Sequence, residues 1–268
     1  MDPHTQTNRE YWDQLARIHP KTAFYRLDDF KRGENILDPI VREALGDVTG
    51  KRLLHLQCHF GLDSLSLARL GADVTGIDLS PVAVETARKL SAEMEISATF
   101  VEADVLRAPD DFIGFDIVFA SWGALCWISD IAAWMRTASR ALKSGGRLVL
   151  IDGHPAGMML DLESEPGAPL RVRYPYDSSE PFIEDEQGSY ADESAVLDDP
   201  RCVVWAFGLE HLFTAMLDTG LALRGFREFD RAAWPMPALV KADEYYWKLP
   251  DGVPYVPLGF ALHAERRG

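Results

Sequence analysis

The chain has 268 residues, 47% of them hydrophobic, and a formal net charge of −15 at pH 7. This length supports one large domain that folds without covalent staples, and the acidity argues against a nucleic-acid partner, since phosphate affinity comes from Lys and Arg. No stretch of about eighteen uncharged apolar residues suggests a membrane span, and the first residues lack the layout of a secretion signal. We therefore expect a cytoplasmic protein without membrane contact.

The three cysteines, Cys58, Cys126 and Cys202, stand far apart in apolar surroundings. This spacing favours neither a disulfide framework nor a tetrahedral metal site. We expect buried thiols and no bound metal.

The N-terminal part of the chain predicts a helical arm, because residues 8–45 alternate aromatic and charged side chains with helical spacing. Within it, Asp38 followed by Pro39 is typical of an N-cap and a first helical residue. The whole N-terminal segment, residues 1–50, is interpreted as this arm.

From Lys51 the period changes to short apolar strands alternating with helices. Strands are predicted at residues 53–56, 74–77, 98–102, 115–120 and 147–151. Helices are predicted at residues 63–70, from Ser80-Pro81 to about 93, and at 130–142, after which Ser144-Gly145-Gly146 is expected to break the chain. The alternation indicates an α/β fold, a Rossmann-like, seven-stranded and mostly parallel sheet covered by helices on both faces.

Residues 155–204 interrupt this rhythm, being rich in proline, acidic residues and tyrosine. A segment of this length is too long for an ordinary loop and favours a lid over the strand ends. A helix at residues 209–219 and strands at 223–230 and 258–264 then complete the sheet. We expect one domain over residues 1–268, with a cofactor-binding half at 51–154, the lid at 155–204 and a C-terminal helix and strand pair at 205–268.

Several turns at the strand ends resemble the motif series of class I S-adenosylmethionine-dependent methyltransferases. The matching positions are Gly61, Asp78, Asp104, Phe115-Asp116-Ile117-Val118 and Leu142-Lys143-Ser144-Gly145-Gly146-Arg147. More narrowly, the first motif, Leu54 to Asp63, and later turns such as Ser121-Trp122-Gly123 resemble a bacterial subfamily of small-molecule methyltransferases. The resemblance covers nearly the whole chain.

The resemblance implies S-adenosyl-L-methionine as cofactor and a small-molecule acceptor, in a monomer or homodimer. The turn from Leu56 to Gly61 would pass close to the methionine part of the cofactor, Asp78 would hold the ribose, and Asp104 the adenine amine. The expected cofactor-binding residues are Tyr11, Trp12, Tyr25, Arg32, Gln57, Cys58, His59, Gly61, Asp78, Leu79, Ser80, Asp104, Val105, Ser121 and Trp122.

The first turn departs from the family pattern. Where an acid and two glycines are usual, this chain has His55, Gln57 and His59, and only Gly61 remains. Since glycine lets a backbone approach a ligand closely, the methionine part must lie differently or be held partly by the arm. Arg32 is a candidate partner of the cofactor carboxylate, and the plainer reading is a surface arginine without a ligand.

His154 follows the fifth strand, where the sheet should face the acceptor, and an imidazole there can take a proton near neutral pH. The plainer reading is a turn histidine that bonds only the backbone. Tyr190 and His211 are the other candidates for base or anchor. The acceptor, expected to be aromatic or heterocyclic and methylated at nitrogen, oxygen or carbon, would contact Trp122, Trp127, His154, Tyr190 and Trp205.

Three other functions compete with this hypothesis. A nicotinamide-dependent oxidoreductase shares the strand, turn and acid layout but needs three glycines in the turn. A non-catalytic adenosyl-binding scaffold is compatible with the altered turn. A nucleic-acid base methylase is disfavoured by the charge and by Ser121-Trp122-Gly123, where such enzymes carry an Asn/Asp-Pro-Pro-aromatic run.

Overall fold

The computed structural model describes residues 2–267. Its helices are α1 (Pro3–Ile18), α2 (Leu27–Lys31), α3 (Pro39–Leu45), α4 (Leu62–Arg69), α5 (Pro81–Glu93), α6 (Ile131–Ala141), α7 (Pro155–Met158) and α8 (Leu209–Asp218). Its strands are β1 (Arg52–Leu56), β2 (Asp73–Asp78), β3 (Thr99–Glu102), β4 (Phe115–Ser121), β5 (Leu142–Gly153), β6 (Phe182–Asp185), β7 (Arg201–Val204), β8 (Leu221–Phe229), β9 (Val240–Lys241), β10 (Trp247–Lys248) and β11 (Gly259–Arg266).

Seven strands form one sheet in the order β3-β2-β1-β4-β5-β11-β8. Strands β1 to β5 run parallel to one another, and β11 runs antiparallel to both β5 and β8. The predicted seven-stranded, mostly parallel sheet is confirmed. Because the order reverses between β1 and β4, a crevice opens there at the carboxyl ends of the strands.

Alternating side chains of the strands bury on opposite faces. Leu54 and Leu56 of β1 pack with Trp134 of α6 and with α8, whereas Leu53 packs with Val41 and the rest of α3. Each fully buried side chain of this kind contributes about 1.5–3 kcal/mol. Helices therefore cover both faces of the sheet, as the sequence predicts.

The helix starts follow from capping side chains. Asp38 accepts hydrogen bonds from the backbone N–H groups of Ile40 and Val41, and Ser80 accepts one from Ala83. Such caps contribute about 1 kcal/mol each and fix where the chain leaves the preceding strand or loop. Both predicted N-caps are confirmed.

Strand β5 begins earlier than predicted, at Leu142, so that Ser144-Gly145-Gly146 does not precede the strand but forms an irregularity inside it. The register shifts between Phe115 and Ile117 on the neighbouring β4. A Cβ on Gly146 would lie 2.9 Å from the Phe115 carbonyl oxygen, so only glycine fits there. The extra residues are accommodated as a bulge.

The insertion is more ordered than its sequence suggests. It contains α7 and an antiparallel hairpin of β6 and β7, with Ile183 opposite Val203. Asn8 of α1 makes two hydrogen bonds to the backbone of Val203 in this hairpin. Its Nδ2 donates to the Val203 carbonyl at 2.7 Å, and its Oδ1 accepts from the Val203 N–H at 2.8 Å. The arm and the insertion therefore pack as one cover over the sheet. Within residues 2–267, no helix combines the length and apolar character needed to cross a bilayer.

Candidate active site

A cavity of about 1320 Å³ lies at the carboxyl ends of β1, β2, β4 and β5. Its walls come from the arm, the insertion and the segment between β8 and β11, which contributes Trp234 and Trp247. Ligand pockets commonly measure about 300–1,000 Å³. The cavity is therefore large enough for two small molecules side by side.

Asp78 marks one end of the cavity, at the exit of β2. One carboxylate oxygen accepts from the His59 N–H at 2.8 Å and the other from the Ser80 N–H at 2.9 Å. Burial raises the pKa of Asp78 to about 6, and the two N–H groups oppose that rise. Each oxygen keeps a lone pair, so this carboxylate can accept two further hydrogen bonds from ligand hydroxyls.

Asp104 follows β3 and also lines the cavity. Its Oδ1 accepts from the Leu106 N–H at 2.9 Å and caps the short 3₁₀ turn at Val105–Arg107. Capping occupies only that oxygen, because the second has no partner among the described residues. Asp104 can therefore serve the turn and a ligand together.

The turn after β1 keeps a glycine-like backbone without the glycines. Gln57 has φ 55° and His59 φ 50°, both in the left-handed region. Side-chain-bearing residues there cost about 1–2 kcal/mol each. The backbone path therefore remains available to a ligand, and the strain is held by contacts of the two side chains.

Gln57 uses its whole amide group to hold this turn. Its Oε1 accepts from the Trp134 Nε1–H at 2.9 Å, and its Nε2 donates to the Ala124 carbonyl at 2.8 Å. Trp134 is fully buried in α6. The β1 turn, the loop after β4 and helix α6 are thus joined through one side chain.

His59 faces the arm rather than the strand. His59 Nε2 lies 2.8 Å from His19 Nδ1, and His19 Nε2 lies 2.8 Å from the Ser189 hydroxyl of the insertion. Tyr25 bonds both His19, at 3.0 Å, and the Tyr190 hydroxyl. Burial lowers the pKa of His19 to about 4 and that of His59 well below its usual value, so both rings are neutral near pH 7.

The aromatic rings of Trp12, Trp127 and Trp205 form one wall of the cavity. Trp12 and Trp127 meet edge to face with ring centroids 5.2 Å apart, and Trp12 also meets His59 at 5.2 Å. The Trp205 side chain is also buried, and the backbone N–H of Trp205 donates to the Cys126 carbonyl. This end of the cavity suits a flat, apolar or aromatic molecule.

The loop after β4 is shaped by two acids. Trp122, at φ 37°, donates its Nε1–H to Asp38 Oδ2 at 2.9 Å. Asp152, at the end of β5, accepts from the backbone N–H groups of Gly123, Ala124 and Leu125. These bonds fix the backbone of the loop after β4, which lines the cavity.

Most of the predicted site residues line this one cavity. They are Trp12, Tyr25, Gln57, Cys58, His59, Gly61, Asp78, Leu79, Asp104, Val105, Ser121, Trp122, Trp127, Tyr190 and Trp205. What each of them binds stays a prediction.

Three expected cofactor residues are not among those that line the cavity. The Arg32 side chain, which follows α2, is 62% exposed and pairs with Asp29. Tyr11 is buried and stacked on Trp127 at 5.7 Å. Ser80 is buried as the cap of α5. Their roles toward a cofactor stay predictions.

Two expected catalytic residues are also placed elsewhere. His154 caps α7, its Nδ1 accepting from the Ala156 N–H at 3.0 Å, and its Nε2 lies 2.9 Å from Glu228 without hydrogen-bond alignment. Burial lowers the pKa of His154 despite Glu228. The His211 side chain is 58% exposed and contacts Asp177. The plainer reading of His154 as a turn residue describes its position.

Sequence reasoning missed other residues of the cavity wall, chiefly Asp38, Asp63 and Trp234. Asp63 stands two residues after Gly61, and that proximity was a usable signal. Trp234 belongs to the segment between the last two strands of the sheet, where no periodic pattern indicates its position. Among residues 2–267, no group of His, Cys, Asp or Glu is arranged to hold a metal ion.

Comparison with known proteins agrees with this geometry. Residues 53–146 match the family described as "Methyltransferase domain". A ubiquinone biosynthesis O-methyltransferase of Alkalilimnicola ehrlichii is 34% identical over 110 residues, 41% of this chain and 44% of that protein. A demethylmenaquinone methyltransferase of Tropheryma whipplei is 28% identical over 57% of this chain and 62% of its own length. The chain spans about half the length of these relatives.

Solved structures extend the likeness to nearly the whole chain. The CcbJ methyltransferase from Streptomyces caelestis superposes with a TM-score of 0.61 at 16% identity, covering 97% of this chain and 98% of that one. A putative S-adenosylmethionine-dependent methyltransferase from Listeria monocytogenes gives 0.60 at 16% identity, covering 85% and 97%. At these identities the likeness speaks to the fold.

Proposed function

We propose that this chain, of which residues 53–146 match the family described as "Methyltransferase domain", transfers a methyl group from S-adenosylmethionine to a nitrogen, oxygen or carbon of a small aromatic or heterocyclic molecule. One observation carries the proposal. A single cavity is lined both by two carboxylates at strand ends, Asp78 and Asp104, and by the aromatic wall.

The residues present fit the cofactor. Two ribose hydroxyls match the free lone pairs of Asp78, whose backbone partners already fix its orientation. Asp104 keeps one oxygen for the adenine amine. Donation from a ligand to Asp78 favours its charged form, which burial alone disfavours.

When bound, the cofactor supplies a methyl group on a positively charged sulfur. The chain contributes alignment and the exclusion of water, which together can account for most of the acceleration of such a transfer. The network of His19, His59 and Ser189 joins arm, turn and insertion above the cavity. This cover keeps the acceptor side dry.

Tyr190 orients an acceptor rather than removing its proton. Burial raises the pKa of Tyr190 to about 12, so its hydroxyl stays protonated near neutral pH. It can donate or accept one hydrogen bond beyond that with Tyr25. Proximity and alignment therefore carry the proposed reaction, and a proton released by the acceptor is taken up by water as the product leaves.

The relatives named for ubiquinone and demethylmenaquinone methylation support an acceptor with a ring. Such a ring can pack against Trp12, Trp127 and Trp205, which line the same cavity. The acceptor atom is left open between nitrogen, oxygen and carbon.

Calorimetry tests the first half of the proposal. S-adenosylhomocysteine is expected to bind with micromolar affinity, whereas NAD is expected not to bind. Turnover of labelled S-adenosylmethionine on a panel of phenols, amines and heterocycles then tests the second half. Binding of NAD in preference to S-adenosylhomocysteine would contradict the proposal, as would binding without turnover on any acceptor, which would favour the scaffold.

A further inference from the structure

Asp63 is an acid of the cavity that the proposed reaction has not used. It lies in the first turn of α4, two residues after Gly61, and lines the cavity. Within residues 2–267, neither a hydrogen bond nor a cation reaches its carboxylate. The Asp63 side chain is half-buried at the cavity wall, and a carboxylate that lacks a protein partner there favours a ligand group as its partner.

A second carboxylate stands near Asp63 and cannot relieve it. Asp38 already accepts hydrogen bonds from Trp122, Tyr246 and the start of α3. Burial and the neighbouring Asp38 raise the pKa of Asp63 to about 7. Two close acids without a cation make this corner of the cavity suited to a positively charged group.

The position of Asp63 indicates which positive group. Asp78 and Asp104 lie at the ends of β2 and β3, so an adenosyl ligand that they hold extends toward β1 and β4, where the sheet order reverses. Asp63 stands on that side, at the start of the helix that follows β1. The family acid of the first turn is replaced by His55, which is buried and bonded to Ser64.

We propose that the Asp63 carboxylate, backed by Asp38, accepts the α-ammonium group of the methionine part of S-adenosylmethionine. This inference rests on the proposed function. It supplies the negative charge that the first turn lacks, from a different position in the chain. An ammonium group donating to a carboxylate is a strong, charge-assisted pair.

Calorimetry with two ligands tests this role without turnover. S-adenosylhomocysteine carries the ammonium group, and 5′-methylthioadenosine lacks the whole amino-acid end. Asp63→Asn is expected to weaken S-adenosylhomocysteine binding about tenfold to a hundredfold while changing methylthioadenosine binding less than about twofold. The matched control is Asp73→Asn. Asp73 is the first residue of β2, and its side chain is 77% exposed.

The outcomes separate this inference from the proposed function. Failure of the wild-type protein to bind S-adenosylhomocysteine overturns the proposed function. Normal wild-type binding, with equal effects of Asp63→Asn on both ligands, overturns only the role of Asp63. If the variant does not fold, the wild-type protein is titrated with an S-adenosylhomocysteine analogue whose α-amino group is replaced by hydrogen. A loss of about tenfold or more supports the role, and unchanged affinity overturns it.

Discussion

His19 and His59 face each other across the cover of the cavity, with His19 Nδ1 2.8 Å from His59 Nε2. His19 belongs to the arm and His59 to the turn after β1. Because His19 also bonds Ser189 of the insertion, one imidazole joins three segments far apart in sequence. The arm, the insertion and the turn after β1 are therefore coupled through the hydrogen bonds of His19.

Replacing His19 by alanine should weaken this coupling. His19→Ala removes the hydrogen bonds of the imidazole to His59 and Ser189 and leaves the His59 ring without its partner. We therefore expect a loss of about 2–4 kcal/mol in the free energy of unfolding. S-adenosylhomocysteine affinity should also fall. Urea denaturation and calorimetry measure the two effects. The control His211→Ala, at an exposed position, should change neither by much. Equal behaviour of the two variants would contradict the coupling.

Asp78→Asn tests the adenosyl end of the cavity. The amide keeps the shape of the side chain but removes its charge, so affinity for both S-adenosylhomocysteine and methylthioadenosine should fall about tenfold to a hundredfold. Calorimetry measures both ligands. An effect no larger than that of Asp73→Asn would mean that Asp78 does not hold the ribose.

Asp63 should make stability depend on pH. Its folded pKa of about 7 lies above the ordinary carboxyl value, so its contribution is fully present below about pH 4 and is lost as pH rises through 7. Asp38 and Tyr25 are the titratable groups facing it. Asp63→Asn should therefore match the wild type in stability at about pH 4 and exceed it by about 1–3 kcal/mol at pH 8, with the difference growing between about pH 4 and pH 7. An unchanged difference across this range would show that Asp63 ionises normally.

His154→Gln should spare catalysis. The side chain caps α7 outside the cavity, so we expect a loss of about 1–2 kcal/mol in stability and less than about a threefold change in kcat/KM. Tyr190→Phe, inside the cavity, should lower kcat/KM about tenfold or more. Both are measured with the acceptor identified by the panel. A folded His154→Gln protein that loses about a hundredfold would restore the base role.

The strands and helices of residues 51–154 were predictable because the sequence patterns that specify them are local. Strand β2 ends at Asp78, and Ser80-Pro81 caps and opens α5 within the next three residues. The strand period and the cap specify position without knowledge of distant contacts.

The cover was not predictable in detail because its contacts span the chain. Asn8 bonds Val203, 195 residues away, and Trp122 bonds Asp38, 84 residues away. Arg32, which follows the short α2, pairs with Asp29 at the surface, a contact that apolar spacing does not predict. Periodicity reports none of these directions.

The bonds between Asn8 and Val203 also constrain how acceptor selectivity can be re-engineered. Both bonds go to backbone atoms of Val203. A chimera that exchanges only residues 155–204 with a homologue therefore keeps them only if the donor hairpin places its backbone N–H and C=O groups at the same position relative to Asn8. Helix α1 and the β6–β7 hairpin thus form a single exchangeable module, and grafts should carry both pieces together.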